Sequence, residues 1–443
     1  MADPSKRVLL ITYYYPPMQA PGAYRTAAFS KFLPRFGYHV TTLTVRINRY
    51  AWNGALTPST APGEDIIRTK AAHIGEIAKR LVGRKFLGYG STKAEFRDKN
   101  AGCLKKALVF FYENLLTFPE PEWLWYPCAI KGTLRAVKEI KPDILLSCAL
   151  PVSSHWIARR IKRRFHIPWV ADYRDLWSQN HFKRRSSPFN ALESLLERRL
   201  IRETDALTTV SQQLAVKLQN KFGKSVRVVT NGFDSDEFDA EAAPFPQGWS
   251  KAGKKAIYTG MIYPERQDPV PLFRAIQLLS EGKRIEKGDF ELWLFGPNVE
   301  AASSLFPLEN LKDYVIIGGN LPRNQALHCQ RNADLLVIFD WTDKREKGVY
   351  TTKFFEYVGA GRPILSIGPK DTVIAETLRL KGFGVTEEDP AALAELLKRF
   401  IHGGDIGTEA MRRSVNADLL REFTREHQTG EMAAVLDLVL GIN

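Results

Sequence analysis

The sequence predicts an α/β protein made of two Rossmann-like, doubly wound, mostly parallel sheets in series, and three observations carry that expectation. Short β-rich apolar runs alternate with amphipathic helical stretches almost from end to end, the pattern of βαβ units. A chain of 443 residues is too long for a single hydrophobic core, so two domains of about 200 residues are expected. One polar, turn-rich interruption, "TNGFDSDEF" followed by "DAEAAPFPQGWSKAGKK", divides the alternation.

The opening strand is "RVLLIT". After the loop "YYYPPMQAPGAY" comes a helix with Ala28, Phe29, Phe32, Leu33 and Phe36 on one face, closed by Gly37 and shortened by Pro34. Strands "HVTTLTV", "DILLSCA", "IPWVADY", "ALTTV" and "VRVVT" complete the first domain. Leu192, Leu195, Leu196 and Leu200 mark the apolar face of a helix among them. A second alternation runs through "AIYTG", "FELWLFG", "YVIIGG", "DLLVIF" and "PILSIG". The expected boundaries are 1–235, 236–415 and a C-terminal helix over 416–443 that packs back on the first domain. Ligands of such sheets bind outside the carboxyl ends of the strands, so a cleft is expected between two sets of strand ends.

Composition narrows the partners. With 44% hydrophobic and 25% charged residues the chain is ordinary globular material. No apolar run spans a bilayer, and tyrosines and prolines break the N-terminal apolar stretch, so a cytoplasmic protein without a signal peptide is expected. Cys103, Cys128, Cys148 and Cys329 form no C-x-x-C and fit reduced, buried thiols rather than disulfides or a metal site. A net charge of +14 calls for an acidic partner. Eleven Lys/Arg against three Asp/Glu lie between Arg68 and Lys106, and "RRIKRRF" adds five more. Nucleic-acid motifs are missing, which leaves a solvated basic face or an anionic membrane surface. The stretch "CLKKALVFFYENLLTFPEPEWLWYP", within an insertion over about 68–125, adds aromatics to lysines. It fits a membrane interface, a core stripe or an acceptor groove.

The stretch "VYTTKFFEYVGAGRPILSIG" carries the sharpest chemistry. Lys353 and Glu356 lie one turn apart at the start of an apolar helix that follows strand "DLLVIF", with Thr351 or Thr352 as caps. A helix start after a strand offers free N–H groups and the positive end of the helix dipole. Lys353 adds a cation for a diphosphate, and Glu356 can accept two hydroxyl hydrogen bonds, as from a ribose. The plain alternative is an i,i+3 surface salt bridge.

"TTKFFEYVGAGRPIL" resembles the donor-site helix of the GT-B-fold retaining glycosyltransferases of family 4. Five further segments fall in that family's order: "ITYYYPPMQAPGAYR", "KPDILLSCALPVSSHWIA", "PWVADYRDLW", "VTNGFDSDEF" and "YTGMIYPERQDPVPLFRAI". The resemblance spans Val8 to Phe400 and implies a transferase that moves a sugar from a nucleotide-diphosphate donor to a hydroxyl acceptor, with retention and no metal or other cofactor. It points to polysaccharide or lipid-linked glycan assembly. The family carries two glutamates eight positions apart in this motif; Glu356 matches the second, and Gly348 stands at the first. A catalytically silent nucleotide-sugar-binding protein of the same fold is the alternative that Gly348 keeps open.

The resemblance assigns Gly22 and Arg25 to the diphosphate, and His155 to the transferred sugar. Asp172, Arg174 and Asp175 take the acceptor side, Gly260 admits the diphosphate, and Arg266 serves as leaving-group cation. An internal Asp–Arg clamp competes for Asp172, Arg174 and Asp175, and a helix-capping role competes for His155. Other chemistries lack their motifs. The pair Asp234 and Asp236 sits at the inferred linker, where it shapes a turn rather than holding a metal. Dinucleotide, P-loop and serine-hydrolase signatures are missing.

Overall fold

The computed structural model describes residues 6–18, 20–47, 65–72, 110–180, 186–238, 243–249, 252–264, 266–343, 346–404, 406 and 417–442. Most of the basic run from Arg68 to Lys106, and Cys103 with it, lies outside them. Two compact units form: Met1–Val229 with Thr429–Asn443, and Thr230–Gln428.

In the first unit, seven strands make one parallel sheet of order β3-β2-β1-β4-β5-β6-β7. They are β1 Lys6–Ile11, β2 Tyr38–Val45, β3 Asp65–Thr69, β4 Ile144–Ala149, β5 Trp169–Tyr173, β6 Ala206–Thr209 and β7 Val226–Val228. Every residue of β4 is buried, as a central parallel strand covered on both faces requires. The crossovers run through α1 Pro21–Phe32, α2 Trp125–Ile140, α3 Ser153–Phe165, α4 Ser187–Ile201 and α5 Gln212–Phe222. α1 stops at Phe32 and passes into a 3₁₀ turn, Leu33–Phe36, that holds Pro34 and ends at Gly37. Ala28, Phe29, Phe32 and Leu33 are buried as expected, whereas Phe36 is exposed.

One face of this sheet packs Leu9, Ile11 and Leu145 against Trp125, Ile157, Leu200 and Leu214. The other packs Val8, Leu10, Ile144 and Leu146 against Phe29 and against Met432, Ala433 and Leu436 of the C-terminal helix Arg425–Leu440. The aromatic stretch is split: Trp125 is core, while Phe110, Phe111 and Trp123 are exposed. Cys148 and Cys329 are buried thiols, but Cys128 is exposed.

α4 corrects the leucine pattern. Leu192 and Leu195 face solvent, and Glu193 and Glu197 are buried in their place. Both carboxylates are satisfied, which is what makes their burial tolerable. The Trp177 indole N–H donates to Glu193 at 2.8 Å. The Lys221 ammonium, itself buried, bonds Glu197 and the Ser178 hydroxyl.

The second unit is a six-stranded parallel sheet of order β10-β9-β8-β11-β12-β13. Its strands are β8 Lys254–Thr259, β9 Phe290–Phe295, β10 Val315–Gly319, β11 Leu335–Phe339, β12 Ile364–Ile367 and β13 Gly384–Glu387. Its longer helices are α6 Val270–Glu281, α7 Arg323–Asn332, α8 Thr352–Ala360, α9 Val373–Lys381 and α10 Pro390–Ile401. α6 and α10 cover one face with Leu272, Ile276, Leu393 and Leu397. α8 and α9 cover the other with Phe354, Phe355, Val358 and Ile374. Strand order reverses between β1 and β4 in the first sheet and between β8 and β11 in the second, the switch points where such sheets open a crevice. Among the described residues no helix is long and apolar enough to cross a membrane.

Lys221→Met strands the Glu197 carboxylate without its cation. The expected loss is about 3–5 kcal/mol of unfolding free energy, read by urea denaturation, and Glu197→Gln in the same chain recovers part of it.

Candidate functional site

In the second unit the switch point brings together the end of β8, the end of β11 and the start of α8. Gly260 follows β8 with φ +138°, and a Cβ there would lie 2.9 Å from the Lys353 ammonium nitrogen. That positive φ strains any residue with a side chain, and a Cβ would also push the Lys353 ammonium aside. Lys353 Nζ donates to the Tyr258 hydroxyl at 2.6 Å and stands 4.0 Å from that ring's centroid. Burial lowers the Lys353 pKa to about 7, against the pull of Glu356 and Asp340. At the end of β11, burial lifts the Asp340 carboxyl to about 6, although the Thr372 hydroxyl and Trp341 N–H donate to it.

α8 starts from Thr351 in extended conformation with no side-chain cap, and the Thr351 hydroxyl is buried without a hydrogen-bond partner. The first turn therefore keeps donors that no side chain takes up. Lys353 and Glu356 do not form the simple i,i+3 bridge. Arg323 Nη1, at the start of α7, donates to Glu356 Oε1 at 2.7 Å, and Gln330 Nε2 approaches Oε2 at 3.4 Å. Gln330 also donates to Thr259 Oγ1 at 2.8 Å, so one amide ties the end of β8 to the glutamate. Arg323 forks onto Glu237 at 3.0 and 2.8 Å. Arg266, assigned to the leaving group by resemblance, pairs with the buried Glu346 at 3.3 Å.

The first unit's residues gather in a small pocket lined by Thr12, Tyr14, Gly22, Arg25, Cys148, Asp172 and Arg174. The clamp reading prevails here. Arg25 grips Asp172 bidentately at 2.9 and 2.8 Å, both side chains are buried, and Arg25 also donates to Val229 O at 2.8 Å. Arg25, assigned by resemblance to the diphosphate, and Asp172, assigned to the acceptor side, are thus paired with each other. Burial alone would raise the Asp172 pKa, but Arg25 and the Thr208 hydroxyl hold it low. The clamp's arginine is Arg25, not Arg174, which bonds its neighbour Asp175 at 2.9 Å. Gly22 makes room for Arg174, since a Cβ would sit 1.7 Å from Nη1.

His155 is fully buried in the first turn of α3. Its Nδ1 lies 2.7 Å from Ser147 Oγ, which accepts the Trp169 indole N–H at 2.6 Å. The other ring nitrogen, Nε2, is a buried atom without a partner. Burial lowers the pKa to about 3, so the ring is neutral. It does not cap its helix. Glu120 does, accepting from Val152 N and from Ser153 N at 2.5 and 2.6 Å. Asp234 accepts from Asp236 N at 3.2 Å and shapes a turn, as expected.

Tyr258, Asp340, Arg323, Gln330 and Glu120 went unread in the sequence. Asp340 directly follows "DLLVIF" and carried a signal, namely an acid at a strand end. The others gain meaning only from contacts distant in sequence.

Because the folded Lys353 pKa of about 7 lies below its ordinary 10.5, the unfolded chain binds more protons between those values. The penalty is full below pH 7 and is relieved as pH rises. Lys353→Met is therefore more stable than wild type at about pH 6, and the difference shrinks toward about pH 10, as denaturation at both pH values reports.

Residues 73–237 match the Glycosyltransferase Family 4 signature. No curated protein matches in a search by sequence. Among solved structures, sucrose-phosphate synthase from Thermosynechococcus elongatus is similar with TM-score 0.63 at 13% identity, over 98% of this chain and 99% of that one. The Anabaena protein HepE, in complex with UDP and glucose, gives 0.61 at 11% identity over 98% and 100%. A glycosyltransferase from Rickettsia africae gives 0.59 at 13% over 98% and 99%. The chain thus has the two-sheet fold of GT-B glycosyltransferases and carries a Family 4 segment within it.

Proposed function

We propose that this chain is a hexosyltransferase that moves a sugar from a nucleoside-diphosphate donor to a hydroxyl acceptor, with retention and without a metal cofactor. One observation carries the reading: an uncapped helix start, a lysine ammonium and a side-chain-free Gly260 converge at the switch point of the second unit. Breaking the glycosyl–phosphate bond builds negative charge on the departing diphosphate. Lys353 and the α8 N–H groups are preorganised to meet that charge. Glu356, oriented by Arg323 and Gln330, keeps lone pairs on both oxygens for ribose hydroxyls. With retention the acceptor hydroxyl attacks the anomeric carbon from the leaving-group side and its proton passes to the departing phosphate oxygen, so no strong protein base is demanded.

In the first unit we assign Arg174, Asp175 and His155, whose Nε2 is unpartnered, to the acceptor and the transferred sugar. HepE, a protein of this fold, binds UDP and glucose, which supports a nucleotide donor. We further assign the enzyme to polysaccharide or lipid-linked glycan assembly at the cytoplasmic face of a membrane, in keeping with its net charge of +14. Gly348 favours one second reading, a protein that binds the nucleotide sugar without turning it over, and mass spectrometry of donor hydrolysis or transfer separates the two.

Glu356→Ala should abolish turnover and weaken donor binding while the fold persists, because Arg323 keeps Glu237 as partner. Titration calorimetry with a panel of nucleoside diphosphates, alongside thermal unfolding, reads both effects; unchanged activity refutes the donor site.

Lys353→Met should weaken nucleoside-diphosphate binding by about tenfold or more, the scale of one charge-assisted phosphate contact. Wild-type affinity should fall as pH climbs above about 7, where the ammonium loses its proton, and the variant should lose that dependence.

A further inference from the structure

Large apolar side chains gather in solvent where the segment leading into α2 meets α4. Phe110, Phe111 and Leu115 are 49%, 49% and 50% exposed, and Leu192 and Leu195 of α4 are 43% and 45% exposed. They belong to one surface. The ring of Phe189, on α4, lies 6.3 Å from that of Phe110 and 5.9 Å from that of Phe118. Ser186 N donates to Asn114 Oδ1 at 3.2 Å. The segment is also anchored inward, because Glu120 binds the first N–H groups of α3. Contiguous apolar exposure of this kind marks a contact surface rather than chance.

Charge identifies what it contacts. Along α4 and its first following residue, Leu192, Leu195, Arg199 and Arg202 fall on one stripe, apolar at one end and cationic at the other. α2, which leaves the same corner, exposes Lys131, Arg135 and Lys138 at i, i+4 and i+7. Among the described residues, none of these five cations has a carboxylate partner. Three of the five cations of α3 are neutralised instead: Arg159 and Arg163 by Glu203, and Lys162 by Asp205. Apolar side chains bordered by uncompensated Lys and Arg fit an anionic bilayer, where phenyl and leucyl groups enter the acyl boundary and the cations meet headgroup phosphates.

We propose that this face of the first unit docks the protein on an anionic lipid surface. The proposal rests on the reading that the transferase works at a membrane face, and it assigns the residues that hold it there. The test floats the full chain with vesicles of phosphatidylcholine alone and with added phosphatidylglycerol, at low and high salt. Wild type should float with the anionic vesicles at low salt only. Phe111→Ser with Leu115→Ser, and separately Arg199→Glu with Arg202→Glu, should each cut the bound fraction by about tenfold or more. These side chains are exposed, so folding should be unaffected, and circular dichroism checks it. Equal flotation of variants and wild type, or no flotation at all, overturns the proposal. So does a wild-type dimer in sedimentation velocity that the apolar substitutions dissolve, since the occupant is then a second copy. Nucleoside-diphosphate titration of the same variants keeps the two readings apart. Intact nucleotide binding with lost flotation supports the surface, and flotation without nucleotide binding removes the transferase reading while leaving the surface in place.

Discussion

A parallel sheet buried on both faces has no room for chemistry along its strands, so polar function is pushed to the strand ends. The second unit obeys that constraint more closely than the first. β4 and β11 are buried throughout; Gly260 and Asp340 lie one residue beyond their strands and Lys353 on the helix α8, whereas Asp172 sits inside β5. Groups so placed are half sheltered from water, and each must find a partner or shed its charge. Arg25 and Asp172 take the first course, and their bidentate pair joins α1 to β5. Lys353 and Asp340 are instead drawn by burial toward their neutral forms, with pKa values of about 7 and about 6.

The two sheets therefore use similar geometry differently. In the first unit the buried charges are closed: Asp172 is saturated by Arg25 and Thr208, and Glu197 by Lys221 and Ser178. In the second, the Lys353 ammonium has a tyrosine hydroxyl rather than a carboxylate in contact, and the Thr351 hydroxyl has no partner.

Much of this was legible in the sequence because it depends on local period. The βαβ alternation, the stop of α1 at Pro34, the start of α8 and the juxtaposition of Lys353 with Glu356 follow from spacing. β3 and β13 were not read; "DIIRT" and "GVTE" are short, partly exposed edge strands that lack a long apolar run. α4 misled the pattern because Glu193 and Glu197 are paid for by Trp177 and Lys221, partners remote in the chain. The pairing of Arg25 with Asp172 hid for the same reason, since 147 positions separate them. Sequence spacing finds which residues share a helix turn, but not which carboxylate a guanidinium will choose across a sheet.

The cap that Glu120 places on α3 has a mechanical side. Its carboxylate belongs to the rim that bears Phe110, Phe111 and Leu115, yet it grips the same helical turn that seats the buried imidazole of His155. One carboxylate thus ties the rim to the helical turn that holds the buried ring.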